Sequence, residues 1–68
     1  MTFEDLKTKL KGLKEKQYLP LTYGDFAEAF PPGAKDSQSQ EQANRLAKSL
    51  NLRVRYLPKD EEVHFIRN

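Results

Sequence analysis

Apolar residues recur at steps of three and four near the start of the chain, at Phe3, Leu6, Leu10 and Leu13. That spacing predicts an amphipathic helix over about residues 2–16. Thr2-Phe3-Glu4-Asp5 opens it as a Ser/Thr-x-x-acid capping box, in which side chains satisfy amides that lack a partner in the first turn. Lys7, Lys11 and Lys14 border one side of the leucine stripe, and Lys9 and Lys16 the other, where their stems can cover its edges. A helix lying on a membrane surface has the same layout, but the narrow stripe and the lack of Trp favour ordinary packing.

Tyr18-Leu19-Pro20-Leu21 is too short for a helix, and Pro20 pushes Leu19 toward extended geometry, so a stub of edge strand is expected near residues 18–21. A second helix follows at once. Thr22 is its cap, Asp25 completes another Thr-x-x-acid box, and Leu21 faces Phe26 as a hydrophobic staple. Phe26, Ala27 and Phe30 form its apolar face, and Pro31-Pro32-Gly33 stops it because proline has no amide hydrogen to donate.

Ala43, Leu46, Ala47 and Leu50 give the most regular helical pattern, predicting a third helix over residues 37–50. Either Asp36 or Ser37 can cap it, Ser37 forming a box with Gln40, while Asn51 tolerates the left-handed conformation that ends helices. A polar loop through the Ser- and Gln-rich stretch, delaying the helix to about residue 41, is the alternative. After residue 51 the period becomes two. Leu52, Val54 and Tyr56 alternate with Arg53 and Arg55, Leu57-Pro58-Lys59-Asp60 suits a type I turn, and Val63 and Phe65 supply the return strand.

The expected fold class is therefore α+β, with three helices followed by a C-terminal β-hairpin. The stub at 18–21 is available as a third strand, which matters because a lone hairpin is marginal in water. All 68 residues make one domain near the lower size limit for a self-sufficient core. With no cysteine, the chain has no disulfide, no thiolate chemistry and no Cys-based zinc site. The net charge of +2 divides into +2 over residues 1–20, −2 over 21–36 and +2 over 37–68, which permits a nucleic acid partner without demanding one. No apolar run is long enough to span a membrane and the charged N-terminus does not resemble a secretory signal, so a cytoplasmic protein without a membrane partner is expected.

The element order resembles winged helix-turn-helix domains. That resemblance implies DNA as partner, with the second helix bracing a third helix that enters the major groove and the hairpin lying on the DNA backbone or minor groove. The connection from Pro31 to Asp36 is longer than the turn of simple helix-turn-helix units. Thr22-Tyr23-Gly24-Asp25-Phe26-Ala27 is similar to the start of the corresponding helix in alkyltransferase-like DNA-repair proteins, which implies that Tyr23 approaches phosphate. The Pro-Cys-His-Arg motif of that family is absent, so alkyl transfer is excluded.

On the third helix, Gln38, Arg45 and Lys48 point away from the apolar stripe with Gln42 at its margin, and Gln and Arg can bond adenine and guanine edges. The same face reads equally as a solvated surface on which Glu41 and Arg45 pair. Arg53 and Arg55 share the outer face of the hairpin with His64 and could meet successive phosphates, whereas Asp60, Glu61 and Glu62 at the tip would be repelled. A lone histidine, serines without a partnered base and the lack of a Gly-rich loop leave no catalytic set, no metal site and no cofactor. The expectation is a non-enzymatic DNA-binding protein, for which transcription regulation is one role. A protein-recognition module on the same fold, such as an adaptor, inhibitor or accessory factor, is the alternative. Nucleic acid or an anionic surface held without sequence preference by Lys7, Lys11 and Lys14 is a third reading.

Overall fold

A computed structural model describes all 68 residues. The elements run α1 (Phe3–Lys11), β1 (Tyr18–Thr22), α2 (Tyr23–Ala29), α3 (Ser37–Ser49), β2 (Arg53–Leu57) and β3 (Glu62–Ile66). The three strands form one antiparallel sheet in the order β1-β3-β2. The domain is thus α+β, and because β1 lies between α1 and α2 the helices do not simply precede a hairpin. No helix is long and apolar enough to cross a membrane.

Each of the three helices starts at a cap that the sequence offers. Thr2 accepts from the Asp5 amide at 3.2 Å and Thr22 from the Asp25 amide at 3.1 Å. At α3 the cap is Asp36, whose Oδ2 accepts from the Ser39 amide at 2.9 Å. Ser37 is the first helical residue, and the Gln40 side chain donates instead to the Ala34 carbonyl at 2.6 Å, so the box between Ser37 and Gln40 does not form. The helix runs unbroken from Ser37, which removes the polar-loop alternative for this stretch. Buried Ser39 ties the preceding loop down by accepting from the Gly33 amide at 3.4 Å. Gly33, at φ 147°, occupies a conformation that side chains rarely adopt.

The first helix is shorter than its leucine spacing predicts. It ends at Lys11 with Gly12 as its cap, and Leu13 is only half-buried. Glycine is a poor helix former, and the chain beyond it is drawn into the sheet. The Lys16 amide donates to the Arg67 carbonyl at 2.8 Å, with Lys16 left-handed at φ 65°, and the Arg67 amide donates to the Gln17 carbonyl at 2.9 Å.

Strand register explains the two faces of the sheet. Leu19, Phe65 and Val54 are aligned, as are Leu21, Val63 and Tyr56, and these rows face the helices. Leu6, Leu10, Phe26, Phe30, Ala43, Leu46 and Ala47 meet them in a single core. A turn forms at Leu57–Asp60, with the Asp60 amide donating to the Leu57 carbonyl at 3.1 Å, and it continues through Glu61, whose amide donates to the Pro58 carbonyl at 3.3 Å. Glu62, however, belongs to β3, so the acidic tip contains only Asp60 and Glu61. The small Ala27, Ala29, Ala43 and Ala47 do not draw α2 and α3 into an extensive crossing. Instead α3 lies closest to β2, while α2 lies against β1, α1 and β3.

Candidate nucleic-acid interface

The exposed side of α3 follows from its buried side. Ser39, Ala43, Leu46 and Ala47 turn inward, and at 100° per residue Gln38, Gln42, Arg45 and Lys48 are left in solvent. These four do not line one continuous groove. Lys48 joins Asn44, Asn51 and Arg53 around a groove of about 600 Å³ between the C-terminal half of α3 and β2. Gln42 and Arg45 border a more apolar groove of about 520 Å³ on the other side, lined by Phe3, Ala29 and Leu46. Gln38 borders neither.

Arg53 and Arg55 occur on the outer face of β2, where the register sets Arg55 opposite His64 as the alternation predicts. With Ile66 and Asn68 they flank a third groove of about 490 Å³. Both are exposed and neither has an acidic partner: the carboxylates that meet a basic group are Glu28 at the Met1 amine, Glu41 at Arg45 and Glu62 at the His64 ring. His64 shares that outer face from the neighbouring strand β3. It is half-buried, with Nε2 3.1 Å from Glu62 Oε1.

Arg45 is the candidate most changed by its surroundings. Its guanidinium donates to Glu41 Oε1 at 2.7 Å, one turn away. The two side chains are 78% and 59% exposed, so the pair is worth only about 0.2–1 kcal/mol and is screened by salt. Tyr23 stands apart from the other candidates. It is half-buried against the core and lines none of these grooves, and its amide donates to the Glu61 carbonyl at 3.0 Å.

Several residues beside the site were not singled out from the sequence. Asn44 lies four residues before Lys48, a spacing that marks one helix face, and Asn51 was read only as a helix terminator. Asn44 also fixes α3 to the sheet: the Tyr56 hydroxyl donates to Asn44 Oδ1 at 3.1 Å, with the Gln40 carbonyl 3.4 Å away. Burial raises the Tyr56 pKa above its ordinary value by desolvating the phenolate. The Tyr18 ring projects from β1 beside His64. Strand alternation against Leu19 and Leu21 was the available signal for its outward direction.

No three His, Asp or Glu side chains converge in an arrangement that could hold a metal ion. No protein-family model matches the chain, and neither a curated protein nor a solved structure matches it.

Proposed function

We propose that this chain binds duplex DNA in the manner of a winged-helix domain and catalyses no reaction. The observation that carries the reading is the solvent-facing side of α3, which exposes four hydrogen-bonding or cationic side chains, Gln38, Gln42, Arg45 and Lys48. Gln and Arg can each make paired bonds to a base edge in the major groove. Lys48 and Arg53 flank the groove between α3 and β2, so a phosphate strand passing there would meet both. Arg55 would extend the contact along β2, whereas Tyr23, half-buried beside Glu61 of the acidic tip, lies outside this surface. A two-turn α2 is sufficient as a brace in this arrangement, and regulation of transcription is a role such a domain could serve.

The pair between Glu41 and Arg45 does not block base contact, because an exposed pair costs little to separate. Glu41 still opposes phosphate. Salt-titrated fluorescence anisotropy with mixed-sequence duplex DNA tests the reading, since affinity should fall steeply with salt. Arg45→Ala should weaken binding by roughly 1–3 kcal/mol if it holds a guanine, and Glu41→Gln should strengthen it.

The groove beside Arg45 favours a second reading. Its lining of Phe3, Ala29 and Leu46, with Phe3 39% exposed, would accept an apolar anchor of a protein partner. Absence of duplex binding even at low salt would transfer the function to protein recognition.

A further inference from the structure

The helices cover one face of the sheet and leave the other open. Register places three rows on the open face: Tyr18, Ile66 and Arg53; then Pro20, His64 and Arg55; then Thr22, Glu62 and Leu57. Tyr18 is the most exposed large hydrophobic residue of the domain, at 55%. Its ring lies 5.1 Å from that of His64 at an interplanar angle of 31°, so two flat side chains form one tilted stack. On β2, two strands from Tyr18 and next to the strand of His64, Arg53 and Arg55 are exposed and lack any acidic partner. His64 lies directly opposite Arg55, one strand spacing or about 5 Å away, whereas Tyr18 lies two spacings or about 10 Å from Arg53, and the two arginine positions are about 7 Å apart along the strand.

We propose that this open face binds single-stranded nucleic acid, with bases stacked on Tyr18 and His64 and the phosphate backbone following Arg53 and Arg55. The occupant is chosen by charge and shape together. A single strand presents flat apolar faces on one side and a row of negative charge on the other, matching the rings and the unpaired guanidinium groups. Alternate residues on β2 suit successive phosphates of an extended backbone, and the groove between Arg53, Arg55, Ile66 and Asn68 provides the track. Glu62 shares the face but is held by His64 and lies toward the turn, at the far end from Arg53. An acidic peptide would use the arginines without needing the rings. A second copy of the chain would bring arginine rows together, which like-charge repulsion disfavours.

The test is anisotropy with a fluorescent oligothymidylate of about twelve nucleotides, within the span of one small binding domain. The unlabelled chain should bind it at low salt. Tyr18→Ala should weaken binding about tenfold, the scale of one lost base stack, whereas Tyr18→Phe should retain it. Replacing both Arg53 and Arg55 by Ala should lower the slope of log affinity on log salt by about 1.4, at roughly 0.7 per phosphate contact. Lys9→Ala, a cation removed from α1, should change affinity less than twofold. Circular dichroism checks that each variant is folded.

This proposal is separable from the duplex reading because Tyr18→Ala should leave affinity for duplex DNA unchanged. No oligothymidylate binding at low salt, equal binding by Tyr18→Ala, or equally tight binding of poly-glutamate would each overturn it. Poly-glutamate binding would identify an acidic protein segment as the occupant.

Discussion

Tyr56 links a strand to a helix through one hydroxyl. Its ring makes an edge contact with Phe26, the centroids 6.3 Å apart at 78°, while its oxygen reaches Asn44 across the gap between β2 and α3. Tyr56→Phe keeps the ring and removes the bond, and should cost about 1 kcal/mol in urea unfolding at neutral pH. The same group predicts alkaline behaviour. Burial raises its folded pKa above the unfolded value of about 10, so the folded state holds the phenolic proton more tightly than the unfolded chain. Its contribution is fully present below pH about 10 and is lost as pH rises through the folded pKa. Unfolding curves taken from neutral pH to about pH 11 should therefore show a steeper loss of stability in the parent chain than in Tyr56→Phe. Parallel losses would show that Tyr56 is as easily ionised folded as unfolded. Alternation correctly assigned this residue to the inner face of β2, but the bond to Asn44 joins residues twelve apart and depends on packing that no local pattern encodes.

Helix starts were legible in the sequence because caps are local. Thr2 and Thr22 each need only the residue three positions later, whereas the start of α3 carried two overlapping signals in Asp36 and Ser37. The loop decides between them. Gly33 and the Ala34 carbonyl engage Ser39 and Gln40, which sets the chain so that Asp36 faces the first free amides. Asp36→Ala should therefore lower stability by about 1–2 kcal/mol, whereas Ser37→Ala, an exposed change, should stay within about 0.5 kcal/mol. Thermal melts of both variants measure the contrast, and the reverse ranking would restore Ser37 as the cap. Helix ends were less legible. Leu13 continues the stripe of α1, yet Gly12 and the pull of the sheet stop the helix at Lys11. The candidate site shows the same division: helical periodicity identified the outward side chains of α3, but not the grooves that separate them, because Phe3, Ala29 and β2 arrive from distant parts of the chain. For the open face of the sheet, alternation indicates which residues point outward, but the meeting of Tyr18 with His64 requires β1 to pair with β3 across the whole domain.

At the scale of the molecule, Arg67 holds the ends together although nothing in its local sequence marks it. One guanidinium donates from Nη1 to the Leu50 carbonyl at 3.1 Å and from Nη2 to the Leu10 carbonyl at 3.4 Å. These carbonyls lie at the C-terminal ends of α3 and α1, where a cation also opposes the negative end of each helix dipole. The backbone of Arg67 meanwhile pairs with Lys16 and Gln17, so one residue after β3 joins both helices and the approach to β1. Its Nε is buried without a hydrogen-bond partner, which offsets part of the gain from the other two nitrogens. Arg67→Ala should still destabilise the fold by about 2 kcal/mol, since bonds from a charged donor are worth more than neutral ones. In a domain of this size that corresponds to a fall in melting temperature of roughly 10 °C. Arg67→Lys should recover less than half of the loss, because a single ammonium on a flexible stem cannot reproduce the planar fork that reaches two helix ends. Differential scanning calorimetry on the three chains decides the matter: full rescue by lysine would mean that positive charge alone, rather than the forked geometry, secures α1 and α3 to the sheet.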